Sequence, residues 1–208
     1  MSDIVENTAS SEEETSTKQR PRTKQKTNAA PNPTEIFLPA LILTAICTTA
    51  TLILALTNLL TADKIAANAA EKAAAARMEV MQAAEYAALD NEGKVYNALD
   101  DDGHQLGVIV TTEAKGYGGT IQVMTGIKSS GKVSKVVILS MSETPGLGAK
   151  TRETSFLDRY IGADEPNLAV NKDGGSIAAV SGATISSRAV TEAVNEALTI
   201  STAYLNAQ

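Results

Sequence analysis

Apolar residues are distributed along this chain in three regimes. Residues 1–34 are polar and nearly free of large apolar side chains, which is the composition of a disordered tail that cannot bury enough surface to fold. From Ile36 to Leu60 Leu, Ile, Ala and Thr dominate and no residue is charged. A run of about 20 apolar residues crosses a bilayer as a helix, so a transmembrane helix is predicted over 35–62. Pro39 falls near its start, where proline costs little. The hydroxyls of Thr44, Thr48, Thr49 and Thr51 can bond back to the helix's own carbonyls. Residues 63–92 are rich in alanine and charge and contain no proline. They predict a helical stalk continuing from the membrane.

From Gly93 the pattern switches to strands. Lys94–Leu99 and Gln105–Thr112 flank a turn at Asp101-Asp102-Gly103, and Thr120–Ile127 and Lys132–Met141 flank another at Ser129-Ser130-Gly131. The Gly116–Gly119 loop joins the two hairpins into an antiparallel meander. A short helix is predicted near Glu153–Tyr160, with short strands near Leu168–Val170 and Ile177–Val180. The last helix is predicted over 187–205, where Val190, Val194, Ala197, Leu198 and Ser201 recur on one face. Strands with helices packed on one side make an α+β domain over 93–208.

Composition narrows the function. With 3% aromatic residues and no Trp, the core must rest on Val, Ile, Leu and Ala. A net charge of -6 argues against nucleic acid, whose phosphates need a basic face. One cysteine, Cys47, and one histidine, His104, exclude an internal disulfide, a cysteine cluster and a multi-histidine metal site. No metal is expected. Lys18, Arg20, Arg22, Lys24 and Lys26 precede the apolar segment, while Asp63 and Lys64 cancel beyond it. By the positive-inside rule the tail is cytoplasmic and the domain extracytoplasmic, on a single-pass anchor in the cell membrane. A cleaved signal peptide is the alternative, which the long preceding tail and the length of the apolar run oppose.

The residues with most chemical content are Ser181-Gly182-Ala183-Thr184-Ile185-Ser186-Ser187. Hydroxyl side chains stand beside a glycine and an alanine, and the chain then enters a helix. Backbone there can approach a ligand closely, and the free N–H groups of a helix start suit a phosphate. A second segment, Glu143–Gly148, contains Pro145 and two glycines and by itself reads as a turn. No residue reads as a general base or nucleophile toward a substrate, so no independent catalytic site is expected.

Lys115-Gly116-Tyr117-Gly118-Gly119, then Ser142-Glu143-Thr144-Pro145-Gly146-Leu147-Gly148-Ala149-Lys150, then the Ser181–Ser187 segment with Arg188-Ala189-Val190, follow one another behind a single membrane helix. In this order they resemble the G subunit of the Rnf electron-transport complex, over roughly residues 35–205. That family belongs to the FMN-binding domains that include the C subunit of the Na⁺-translocating NADH:quinone reductase. The resemblance implies FMN joined through its phosphate to a threonine hydroxyl, which by motif position is Thr184. Ser181, Gly182 and Ala183 would give the phosphate room, Ser186 and Ser187 would cap the helix or donate to the phosphate, and Ser186 is a reserve acceptor. The Glu143–Gly148 loop would line the isoalloxazine site, with Thr144 and Leu147 touching the ring and with Glu143 and Lys150 either tuning the flavin potential or standing as ordinary surface charges. Gly116–Gly119, Gly118 among them, would let backbone approach the flavin or merely make a turn.

The same resemblance implies an electron relay within an ion-translocating ferredoxin:NAD⁺ oxidoreductase. Other membrane and iron–sulfur subunits would be partners, and a flavin transferase would mature the protein. One helix cannot form an ion path, so that path and the NADH and ferredoxin sites would lie on other subunits. The alternatives are the C subunit of the quinone reductase, a stand-alone extracytoplasmic FMN-binding protein, or a flavin-free membrane-tethered interaction module. One departure favours the last. Flavin-transferase patterns in this family carry aspartate three residues before the serine of Ser-Gly-Ala-Thr, where this chain has Ala178 and its nearest upstream acid is Asp173.

Overall fold

A computed structural model describes residues 33–206, so the tail expected over 1–34 lies almost wholly outside the described residues. The chain divides between Thr57 and Asn58 into two units. Helix α1 runs from Pro33 to Val80 and contributes to both. In the first unit its large apolar side chains, among them Phe37, Leu41, Ile46 and Leu54, are exposed. The helix is long and apolar enough to cross a membrane. Thr44, Thr49 and Thr51 donate to the carbonyls of Ala40, Ala45 and Cys47, each at 2.8 Å. These bonds occupy hydroxyls that a hydrocarbon environment would leave unpaired.

The second unit is built on five antiparallel strands in the order of the chain: β1 (Glu85–Ala88), β2 (Val95–Leu99), β3 (Gln105–Lys115), β4 (Thr120–Lys128) and β5 (Val133–Ser140). β3 and β4 form the long central pair, from Gly107 opposite Lys128 to Lys115 opposite Thr120. Successive side chains of a strand face opposite ways, and both faces of this sheet are covered. Val108 and Val110 of β3, with Ile121, Val123 and Ile127 of β4, pack in the larger core. Helix α3 (Thr184–Leu205) covers that face through Val190, Val194, Ala197 and Leu198, all at most 1% exposed. Burying each such Val or Leu contributes roughly 1.5–3 kcal/mol. Thr112 fastens the layers by donating to the Ala193 carbonyl at 2.9 Å.

Ile109 and Met124 point the other way, into a second core with Ala76 and Val80 of α1, Met81 and Ala98. Here the structure corrects the stalk expected over 63–92. The helix stops at Val80, and residues 85–88 are a strand paired with β2, Glu85 opposite Leu99. Alanine is a strong helix former, but propensity is a weak prior that tertiary context overrides, and the edge of β2 supplies the backbone partners that outweigh it here. The helix end is held by Ser134 Oγ, which donates to the Val80 carbonyl at 2.9 Å, and by Tyr86, whose hydroxyl donates to the Met81 carbonyl at 2.8 Å. The Arg77 guanidinium lies over the Tyr96 ring, 4.4 Å from its centre.

After β5 the chain makes a 3-10 turn at Gly148–Arg152, the short helix α2 (Thr154–Leu157) and a further 3-10 turn at Asp158–Tyr160. The strands expected near Leu168–Val170 and Ile177–Val180 reduce to one parallel bridge between Val170 and Ile177. Side chains satisfy the backbone in place of a ladder. Asn195 of α3 accepts from the Leu168 amide at 3.0 Å and donates to its carbonyl at 2.8 Å. Asn171 accepts from the Ala179 amide at 3.1 Å.

Candidate flavin site

α3 begins at Thr184, three residues earlier than its periodicity predicts, with Ala183 in the cap position and no side-chain cap. The chain enters it through Gly182 at φ 77°, a left-handed conformation that glycine adopts without strain. The first helical hydrogen bond here runs from the Ser187 amide to the Ala183 carbonyl at 2.9 Å. The amides of Thr184, Ile185 and Ser186 therefore precede the ladder and are available to an anion, which the positive helix end also favours.

The expectation that Ser186 and Ser187 cap the helix does not hold. Both are buried inside its first turns, and their hydroxyls are committed elsewhere. Ser187 Oγ donates to the Ala183 carbonyl at 2.9 Å and accepts from the Val180 amide at 3.0 Å. Ser186 Oγ donates to Glu143 Oε2 at 2.7 Å. Thr184 is half-buried, and its hydroxyl has no hydrogen-bond partner among the described residues. Deeper in the helix, Thr191 donates to the Ser187 carbonyl at 2.9 Å and shares a 2.8 Å hydrogen bond with the Tyr160 hydroxyl. Burial pushes that phenol's pKa above its usual value, the Thr191 bond opposing the shift.

Three segments far apart in sequence meet at this helix start. They line a cleft of about 590 Å³ formed by Tyr117, Glu143, Thr144, Leu147, Gly148, Gly182, Ala183, Thr184, Ile185 and Ser186. A larger groove of about 710 Å³ lies between α1 and the sheet, from Ile65 to Ser140. The glycine-rich and hydroxyl-rich segments identified from sequence line the smaller one. Glu143 is the residue that joins them. It is buried, and its two oxygens serve two segments, Oε1 accepting from the Gly118 amide at 3.1 Å and Oε2 from Ser186. The structure thus gives Glu143 a definite place as a buried tether.

Gly118 and Gly148 leave no room for side chains. A Cβ on Gly148 would run into Glu143 Oε2 and come within 2.7 Å of Ser186 Oγ. One on Gly118 would strike the Ser142 carbonyl. Of the residues expected here, Ser181 and Ser187 do not line the cleft, and Gly118 reaches it only through its bond to Glu143. Tyr117, Gly148 and Ile185 line it without having been singled out as site residues. Tyr117 has a sequence signal, a lone aromatic between Gly116 and Gly118.

Neither Ala178 nor Asp173 brings a carboxylate to the cleft. The Ala178 carbonyl accepts from the Arg159 guanidinium. Asp173 forms a two-pronged pair with Arg188, whose Nε and Nη2 donate to its oxygens at 2.6 and 2.5 Å. The cleft nevertheless fits FMN in kind. It offers a free hydroxyl and unpaired amides at a helix start for the phosphate, and the apolar side chains of Tyr117, Leu147 and Ile185 for a ring.

The FMN-binding domain family matches residues 116–199, a span that contains all three lining segments. The G subunit of the ion-translocating oxidoreductase complex of Methanosarcina acetivorans is 30% identical over 186 residues, covering 84% of this chain and 95% of that protein. The G subunit of the Na⁺-translocating ferredoxin:NAD⁺ oxidoreductase complex of Acetobacterium woodii is 33% identical over 189 residues, covering 79% of this chain and 91% of its own. The crystal structure of the C subunit of the Na⁺-translocating NADH-quinone reductase from Parabacteroides distasonis aligns with 55% of this chain and 63% of that one, at 26% identity and a TM-score of 0.46. With an FMN-binding domain behind an apolar helix, and near-full-length relatives of one kind, the chain belongs to the family of G subunits of ion-translocating oxidoreductase complexes.

Proposed function

We propose that this protein is the membrane-anchored flavoprotein subunit of an ion-translocating ferredoxin:NAD⁺ oxidoreductase, relaying electrons through FMN joined by a phosphoester to Thr184. One observation carries the assignment of the anchor. Of the hydroxyls in the Ser181–Ser187 segment that line the cleft, only Thr184 is uncommitted, since Ser186 is buried and bonded to Glu143. The bond forms when Thr184 Oγ1 takes the flavin phosphoryl group from an activated flavin nucleotide. The nucleotide's leaving group departs from phosphorus, and the threonine proton passes to the flavin transferase or to solvent. The resulting diester keeps one negative charge, which the start of α3 stabilises by about 0.3–1 kcal/mol.

When bound, the flavin supplies the electron transfer, and the chain supplies attachment, orientation and partial exclusion of water. The basic residues Lys18 to Lys26 ahead of the span support a cytoplasmic N-terminus and an extracytoplasmic flavin domain. The names of the relatives support partnership with the remaining subunits of such a complex, where the ferredoxin and NAD⁺ sites and the ion path would reside.

The test is co-expression with a flavin transferase, followed by denaturing electrophoresis and intact mass. Wild type should carry an in-gel fluorescent flavin and the FMN mass increment, and Thr184→Val should lose both. Fluorescence persisting in Thr184→Val places the acceptor elsewhere. A wild-type protein without flavin would favour the flavin-free tethered module, the reading that Ala178 supports.

A further inference from the structure

Tyr117 is the one aromatic residue that lines the cleft. It is 72% exposed, yet the turn that carries it is tightly fixed. The Gly116 amide donates to the Gly119 carbonyl at 2.8 Å, closing the turn between β3 and β4. The Gly118 amide donates to Glu143 Oε1 at 3.1 Å. A Cβ on Gly116 would run into the Glu143 carboxylate and come within 3.0 Å of the Ile121 side chain. The two neighbours of Tyr117 are therefore packed against the domain while its ring is left in solvent. A ring left this exposed contributes little hydrophobic stabilisation, which scales with the area buried.

The same cleft holds Leu147, 48% exposed, and Ile185, 49% exposed. Leu147 lies over Gly182, its Cδ2 only 3.1 Å from where a Cβ on that residue would stand. Three exposed apolar side chains thus share a cleft with the free hydroxyl of Thr184. We propose that Tyr117 is the face on which the flavin ring of FMN stacks, with Leu147 and Ile185 as apolar neighbours, so that Tyr117 fixes the ring while Thr184 fixes the phosphate. Flat aromatic systems prefer offset stacking with a centroid separation of about 4.5–7 Å. The inference rests on FMN occupying the cleft beside Thr184, and its failure is separable from failure of the covalent anchor.

The full chain in detergent, as wild type, Tyr117→Leu and Tyr117→Trp, is co-expressed with the transferase. In-gel fluorescence of denatured protein reports attachment, and the signals of the native proteins are normalised to it. The native-to-denatured emission ratio and the visible circular dichroism of the flavin report ring docking. Tyr117→Leu should shift the docked-to-free ring equilibrium about three- to tenfold toward free, raising native emission, while Tyr117→Trp keeps the wild-type signature. Titration of unlabelled protein with free FMN provides the same test without the covalent bond, and Tyr117→Leu should weaken Kd by about the same factor. Unchanged emission, dichroism and Kd in Tyr117→Leu would overturn the stacking role. Loss of the covalent label in wild type, with the Kd effect retained, would overturn only the anchor.

Discussion

Ser186 Oγ donates to Glu143 Oε2 at 2.7 Å across 43 residues of sequence, while the other oxygen of Glu143 accepts from the Gly118 amide at 3.1 Å. One buried carboxylate therefore holds the turn after β3, the loop after β5 and the first turn of α3 against one another. Replacing it should be costly. Glu143→Ala leaves two donors unpaired and should lower unfolding free energy by about 2–3 kcal/mol, with Glu143→Gln, which keeps one acceptor, losing roughly half as much. Urea unfolding of the three proteins followed by far-ultraviolet circular dichroism reads this directly. An alanine variant as stable as wild type would show that the carboxylate is not the tether.

That contact also marks how far the sequence could be read. The central strands and α3 were legible because their apolar residues repeat at periods of two and 3.6, as in Val108 and Val110 or Val190 and Val194. β1 was not, because Glu85–Ala88 carries an alanine-rich pattern and becomes a strand only against the edge of β2. The three segments of the site were recognisable from their motifs, and their convergence on one cleft agrees with that. The duties of Ser186 and Ser187 were hidden. Hydroxyls at a helix start read as caps, and only tertiary structure shows them taken by Glu143 and by the Val180 amide.

Ser186→Ala separates the two hydroxyls that the start of α3 gives the cleft. The residue is 1% exposed and its hydroxyl is engaged, so its removal should leave flavin on Thr184 at wild-type stoichiometry. It should cost about 1–3 kcal/mol of stability through the unpaired Glu143 oxygen. Peptide mapping of the labelled protein together with thermal unfolding checks both halves. A label that disappears in Ser186→Ala while the protein remains folded would move the acceptor from Thr184.

The Asp173–Arg188 pair gives a pH dependence whose sign is fixed. Hydrogen bonding to Arg188 holds the Asp173 carboxyl below the usual carboxylate value, with burial opposing the shift. A depressed folded pKa contributes stability that is present above the unfolded value of about 3.9 and is lost as pH falls through the folded one. Both partners are exposed, so the effect is small and screened by salt. Thermal midpoints of wild type and Asp173→Asn should differ at neutral pH and low ionic strength, then converge as pH drops below about 4. A gap that persists in strong acid would show that Asp173 acts through something other than its charge.

Gly182 offers a test of the backbone that delivers Thr184. Its φ of 77° is one that a residue with a Cβ adopts at a cost of about 1–2 kcal/mol. A Cβ there would also stand 3.1 Å from Leu147 Cδ2, the mobile end of a half-exposed side chain. Leu147 can yield a few tenths of an ångström, so the strain of the backbone decides the outcome. Gly182→Ala should therefore destabilise by about 1–2 kcal/mol without loss of fold. The larger consequence falls on the site, because relief of the strain turns the residue toward negative φ and swings the start of α3, and with it the Thr184 hydroxyl. Flavin attachment should fall more than stability does. A fully labelled Gly182→Ala protein would mean that the transferase accepts Thr184 from a backbone other than this left-handed entry.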